Sequence, residues 1–595
     1  MKMKVFICCL FVIANISNNG KASVDSPVSY TANVLEDTLK NSEKCYRPCK
    51  FNVKPKRCHY KFNIEPSIGD NKFPISINGI APGPPIYACV NDVIVVEVTN
   101  RIPGQSIAVH WHGVEQRGTP FMDGVPMVTQ CPVEYGTTYK YLFVASSPGT
   151  FFYHADSVAH QSDGVYGLLV VNQPQPLEPH ASIYDFDRGN ENSLLIGAKF
   201  PVPLTGSLED TSQIQPNALV INSDEETTKL FVLPGYAYRL RLINAVAIEC
   251  PVTINIDSHD LMIIATDGKP VKPVMTHNVQ LYPGERMDVV VRMSQSSGGY
   301  WVRARGADSC AGLTATAMLL YSGFNYTSML LDKQNDPRQH QDTDIDLTIN
   351  GQMLESSKNT KDASHSPEVK SVYLSIDKNV VNVKDNDFRY ISDAIPKKPY
   401  YPAPMFLKDN GVVQINGKSF LYPNAPILLQ PKDVREDLIC NVGEEGSQLE
   451  AQCIQILNAV QGETMELVLV NEGFGGNDSY TFHMHGFSMQ VVSTWRHPHH
   501  HPLTREEVMR MDEEGRIVRN LKNPVNKDTI TIPNKGFMIV RIALDRGGSW
   551  LLECRSCGLS LPAAVIIQVP LTIPKDVSES LHKCGSYRPP DVLLN

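Results

Sequence analysis

Beyond its N-terminal leader the chain has no stretch that stays apolar for the ~20 residues a membrane-spanning helix needs, so no span is expected in the mature protein. The segment from Pro574 to Asn595 is polar, which removes the hydrophobic tail of a lipid-anchor signal. Sustained basic runs are missing too. Asp plus Glu outnumber Lys plus Arg by 63 to 54, so the electrostatic footprint of a nucleic-acid binder is absent. Long segments of helical period are also few, and that scarcity points away from helical architectures.

What is present begins with a leader. Lys2 and Lys4 precede an apolar run from Val5 to Ile16, and Gly20-Lys21-Ala22 supplies a small-residue cleavage pattern. This reads as a secretory signal over residues 1–22. Cys8 and Cys9 leave with it, and the fourteen cysteines become twelve, an even number suited to pairing in an oxidising compartment. The sequons Asn325-Tyr326-Thr327 and Asn477-Asp478-Ser479 fit a secreted glycoprotein.

Short β-branched and aliphatic runs fill the rest: Val93 to Thr99, Tyr166 to Val171, Tyr238 to Ile243, Met287 to Arg292, Met465 to Val470 and Ala564 to Val569. Gly, Pro and Asn separate them, the pattern of β-sandwiches or barrels. With 595 residues, 42% of them hydrophobic, the chain holds several cores, and a sandwich takes roughly 100 residues. Joints at Gln173-Pro174-Gln175-Pro176 and in the polar stretch from Asp332 to Asp344 divide it into thirds.

Alternate side chains of a strand point the same way, so a His-x-His triplet aims two imidazoles at one point. His110-Trp111-His112-Gly113 and His483-Met484-His485-Gly486 are two such triplets, each closed by glycine. Together they suit a metal cluster. The loop Arg496-His497-Pro498-His499-His500-His501-Pro502 reads either as a metal-holding segment or as a plain exposed loop.

The order of motifs resembles the multicopper oxidases, and among them the laccase-like enzymes of insects. The resemblance runs from Cys45-Tyr46-Arg47-Pro48-Cys49 through the first triplet to Asp123-Gly124-Val125-Pro126 and Thr129-Gln130-Cys131-Pro132. It continues through Gly149-Thr150-Phe151-Phe152-Tyr153-His154, Asp163-Gly164-Val165-Tyr166-Gly167, Ala265-Thr266-Asp267-Gly268 and Pro283-Gly284-Glu285-Arg286. It ends with Asn523-Pro524, Lys527-Asp528-Thr529 and Trp550-Leu551-Leu552-Glu553-Cys554. The resemblance implies an all-β fold of three cupredoxin-like Greek-key β-sandwich domains. These are expected at 58–173, 186–325 and 346–575, with a cysteine-containing N-terminal segment at 23–57, a linker at 326–345 and a C-terminal tail at 576–595.

In that family four His-x-His triplets hold three coppers between the first and third domains, and a blue copper in the third uses two histidines and a cysteine. Electrons enter at the blue copper, and the cluster reduces dioxygen. Carried over residue by residue, the metal positions retained are His110, His112, His154, His483 and His485. Asp156, Glu553 and Arg555 stand where the other cluster histidines belong. At the blue site Tyr480 and Leu559 replace both histidines, Ala564 replaces the soft axial ligand, and Cys554 alone remains. The losses resemble the degenerate insect multicopper-oxidase-related proteins.

Two readings follow. In one, the chain is a secreted pseudo-enzyme that binds an extracellular protein or matrix ligand, its histidines kept for packing, with no copper. In the other, about one ion sits at His110 and His483, assisted by Asp156 and Glu553, and supports a metal-dependent oxidoreductase without a blue copper. A thiol-disulfide activity of Cys554-Arg555-Ser556-Cys557 is disfavoured because no thioredoxin-like βαβ pattern surrounds it. Disulfides are expected between Cys554 and Cys557 and between Cys250 and Cys310. A glycan on Asn477 would crowd the old substrate mouth at Tyr480. Arg555 is expected in the cavity of the paired coppers, hydrogen-bonded by Asp156, Glu553 or both, because a guanidinium matches carboxylate geometry and never ligates a cation.

Overall fold

A computed structural model of the chain describes residues 27–69, 73–205, 214–222, 227–325, 348–357, 369–379, 412–442, 452–474, 478–498, 501–557 and 563–584. The expected linker, Asn477, Leu559, His499 and His500 lie outside the described residues.

Period-two burial builds the strands. In Arg57–Pro66, Cys58, Tyr60, Phe62 and Ile64 are fully buried while Arg57 and Lys61 are exposed. The opening strand of each sandwich lies parallel to a later one. Arg57–Pro66 pairs with Val93–Asn100, Ser193–Lys199 with Ala237–Asn244, and Ser371–Asn379 with Thr464–Asn471. The opposing sheets repeat the device with Ile86–Cys89 on Tyr166–Asn172, Lys229–Val232 on Thr314–Tyr321, and Gln452–Asn458 on Ala563–Val569. A tight hairpin cannot close a parallel pair, so the chain crosses over between the two strands. This one plan, repeated three times, gives the expected three cupredoxin-like sandwiches.

An apolar seam joins the first and third sandwiches, where Val125 and Val128 pack with Phe420, Ile454, Leu551 and Ile566. A fully buried, bidentate ion pair joins the second and third: Arg286 donates to both Asp528 oxygens at 2.5 and 2.6 Å. The metal-site positions lie along the first of these seams. All twelve cysteines among the described residues are paired, as Cys45–Cys58, Cys49–Cys89, Cys131–Cys584, Cys250–Cys310, Cys440–Cys453 and Cys554–Cys557.

Three features depart from the sequence reading. The segment 23–57 contains a helix, Pro27–Cys45, whose buried positions Thr38, Ser42 and Cys45 fall four and three residues apart. That face is made of small polar groups, with Thr38 donating to the Lys61 carbonyl and Ser42 to that of Pro85, so hydrophobic periodicity does not reveal it. Thr348–Asn350, expected to begin the third domain, adds a parallel edge strand to Asn278–Leu281 of the second. The C-terminal tail is anchored, by a short helix Lys575–Ser580 and by Cys584 bonded to Cys131 in the first sandwich.

Candidate metal centre

Strand Val109–His112 presents His110 and His112 on one face, while Trp111 turns the other way to pack on Tyr141 and Phe143. The neighbouring strand Gly149–Ala155 brings His154 opposite His110. From the third sandwich, strand Tyr480–Met484 delivers His483, and His485 follows it. The glycines that close both triplets have positive φ, and added side chains would collide with Arg286 and Asp528 at Gly113 and with Trp550 at Gly486.

Five imidazoles converge. His110 donates its Nδ1 proton to the Asp123 carbonyl at 2.8 Å and His483 its own to the Asp528 carbonyl at 3.1 Å. That pattern leaves two Nε2 lone pairs facing each other at 3.3 Å. His154 is fixed the same way by the Ala155 carbonyl at 2.8 Å. His112 donates Nε2–H to Thr529 Oγ1 at 2.9 Å, and Thr529 passes its proton to Asp528 Oδ1. His112 Nδ1 and His154 Nε2 therefore also face each other, at 3.1 Å. Burial holds all four rings below the usual histidine pKa, hence neutral.

His485 differs. Its Nδ1 donates to Asp123 Oδ2 at 2.8 Å and its Nε2 to Glu553 Oε1 at 3.1 Å. Burial opposes a charge there, but Asp123 and Glu553 outweigh it and push the pKa up to about 10. Both His485 nitrogens thus face carboxylates, and the ring stands with His110 and His483 in one group of potential ligand atoms. Burial would raise the Glu553 pKa, yet Arg555 and His485 bring it down to about 2.

Strand Gly548–Cys554 ends before Arg555, which opens a 3-10 turn, Arg555–Cys557, instead of extending the strand. Its guanidinium still reaches the cluster, donating to Glu553 at 3.2 Å, to Gln161 Oε1 at 2.7 Å and to the carbonyls of Asp156 and Ala155 at 2.9 and 3.2 Å. The expected bond to Asp156 is therefore made by its main chain and not by its carboxylate. Asp156 Oδ1 is buried without a hydrogen-bond partner, and burial, with Glu553 adding to it, raises the pKa to about 7. The reason is reach: strand Gly149–Ala155 stops before Asp156, whose main chain then points at Arg555.

At the blue-site positions Cys554 is fully buried and bonded to Cys557. Tyr480 and Ala564 are buried, and Leu559 lies outside the described residues. Ser556 donates to Glu249 at 2.6 Å, and burial lifts the pKa of that carboxyl to about 8.

Comparison with known proteins now has a geometry to meet. Three family models described as multicopper oxidase match residues 61–176, 198–324 and 420–556. This chain belongs to the multicopper oxidase family. Among multicopper oxidases it is similar to an L-ascorbate oxidase of Cucurbita pepo var. melopepo, 27% identical over 83% of this chain and 91% of that one. It is also similar to Laccase-1 of Botryotinia fuckeliana, 25% identical over 86% and 82%. Among solved structures, Fet3p, a multicopper oxidase that functions in iron import, superposes with a TM-score of 0.65 at 18% identity, covering 86% of this chain and 90% of that one. The laccase from Botrytis aclada gives 0.62 at 22%, covering 87% and 89%. These last two likenesses concern the fold.

Copper is the family cofactor, and the donor set fits it in part. Two facing lone pairs at 3.3 Å repel unless a cation lies between them, and both imidazole pairs meet that description. His110 with His483 and His112 with His154 are the residues that would hold metal, and copper so held supplies one-electron chemistry. His485 lies with His110 and His483 in a group whose ligand atoms are within 4.8 Å of one another, and its partners Asp123 and Glu553 compete with a metal for it. Asp123, Gln161, Glu249, Asp528 and Thr529 carry much of this geometry without a role assigned from sequence. Asp123 and Asp528 stand inside the quoted motifs Asp123-Gly124-Val125-Pro126 and Lys527-Asp528-Thr529, which is the signal that marks them.

Proposed function

We propose that this multicopper oxidase family member is a secreted, catalytically degenerate protein that acts by binding an extracellular protein or matrix ligand. The observation that carries the reading is Cys554, the one retained blue-copper ligand, whose sulfur is bonded to Cys557 and offers no thiolate. Tyr480 and Ala564, at two of the other blue-site positions, add no imidazole or thioether. Without that centre, electrons from a substrate have no entry, whatever the cluster positions hold. Copper occupancy in this reading is none or about one ion, at His110 and His483, because the Arg555 guanidinium beside His154 disfavours a second cation at the His112–His154 pair.

The leader and six disulfides support secretion. Among the described residues no helix is long and apolar enough to cross a membrane. Elemental analysis joined to an absorption spectrum and a phenol-oxidation assay tests the proposal. The expected result is at most about one copper per chain, no intense blue band and no turnover. Three or four coppers with a blue band would overturn it.

A further inference from the structure

Strand Gly548–Cys554 ends in a cysteine pair that closes within one turn, Cys554 being bonded to Cys557 three residues on. The other five bridges join residues 13 to 453 apart and tie separate segments together. Opening the short one frees no distant segment, so the fold can survive its reduction. The pair follows a strand of a sandwich and not a βαβ unit, so a group that assists exchange must come from elsewhere in the fold.

One does. Ser556, between the two cysteines, has its hydroxyl 3.8 Å from the Cys554 sulfur and 2.6 Å from Glu249 Oε2. Glu249 belongs to the second sandwich, and Thr481 of the third donates to its other oxygen at 3.4 Å. The carboxyl meets two hydroxyls and, among the described residues, no cation, and burial keeps a proton on it at neutral pH. Cys557, Ser556 and Glu249 are each half-buried, whereas Cys554 is fully buried. The sulfurs of Cys49, Cys89 and Cys131 approach main-chain carbonyls instead, which hold no proton to give.

We propose that Cys554–Cys557 is a reversible thiol–disulfide exchange site, opened by small external thiols and served by a proton relay from Glu249 through Ser556. An external thiolate attacks the half-buried Cys557 sulfur, and a mixed disulfide forms as the Cys554–Cys557 bond breaks. The electron pair leaves on the Cys554 sulfur, which takes the Ser556 hydroxyl proton while Ser556 takes that of Glu249. A second thiolate attacks the external sulfur of the mixed disulfide and releases Cys557. Solvent returns protons to Cys557 and Glu249. Two external thiols are thereby oxidised to one disulfide, and the protein bridge is reduced to two thiols.

The inference goes beyond the binding role: copper analysis tests the loss of oxidase chemistry and thiol exchange tests this bridge, so the two fail separately. The experiment incubates the full-length secreted protein, without air, in graded ratios of reduced to oxidised glutathione, then alkylates and maps every cysteine by mass. Cys554 and Cys557 are expected to become alkylated together while the other ten mature cysteines stay paired and a thermal melt still reports a folded protein. The trapped glutathione adduct should sit on Cys557. A positioned proton donor speeds transfer by ~10²–10⁴, so Ser556→Ala and Glu249→Gln should each slow reduction roughly tenfold or more, and Ser556→Thr, which keeps the hydroxyl, should restore the rate. Melts of the variants report that they fold. Reduction of another bridge before this one, an adduct on Cys554 alone, folded Ser556→Ala and Glu249→Gln proteins that react as fast as the parent, or no rescue by threonine would overturn the proposal.

Discussion

Replacing Arg555 with alanine should destabilise the protein substantially. The side chain is 10% exposed and makes four hydrogen bonds, to Glu553, Gln161 and the carbonyls of Ala155 and Asp156. Breaking one side of a buried ion pair costs ~3–5 kcal/mol. Glu553 keeps its bond to the His485 imidazolium, and an adjoining cavity of about 500 Å³ can admit water to the freed carbonyls, so the lower end, ~3 kcal/mol, is expected. For a cooperative unit of ~200 residues, 1 kcal/mol moves Tm by ~2–4 °C, which gives a fall of roughly 6–12 °C by scanning calorimetry. Arg555→Lys keeps the charge but loses the planar fork and should fall between. A Tm within ~1 °C of the parent for Arg555→Ala, or a lysine variant as stable as the parent, would refute the reasoning.

Asp156→Asn should show a pH-dependent gain. The folded pKa, about 7, exceeds the ordinary aspartate value of ~3.9, so the parent loses stability as pH rises between these values while asparagine does not titrate. Melts should coincide near pH 4 and separate towards pH 8, the variant ahead by up to ~4 kcal/mol; a pH-independent gap would count against the assignment. Restoring histidine at Asp156, Glu553 and Arg555 together should raise cluster copper by elemental analysis yet give neither blue absorption nor phenol oxidation. Oxidation by that variant would sink the electron-entry argument. Cys557→Ser should expose one alkylatable thiol at Cys554 after unfolding, lower stability by about 2 kcal/mol for so short a loop, and still give no blue copper.

The fold was legible because its signals are local. Period-two burial, turn residues and two His-x-His triplets read directly as strands that aim side chains, and the cysteine pair three residues apart read as a bridge. The charge on His485 was not legible, since Asp123 stands 362 residues away in the chain and only the folded seam brings it to 2.8 Å. Of the two carboxylates expected to hold Arg555 by charge compensation, Glu553 does so, while the end of the strand at Ala155 turns the Asp156 main chain to the guanidinium instead of its carboxylate. The helix Pro27–Cys45 escaped because its buried face carries Thr38 and Ser42, which satisfy carbonyls instead of a hydrophobic stripe.

The bond between Cys131 and Cys584 turns the intervening main chain, 453 residues of separation, into a closed covalent loop. Nearly all of the second and third sandwiches lie inside it. A protease that clips an exposed turn anywhere within this circle opens it without releasing a fragment, because both new ends remain tied through the latch. Nicked molecules should therefore travel as one species on a non-reducing gel and separate into pieces only after thiol treatment. Damage to one turn would leave the rest of the circle holding the body together.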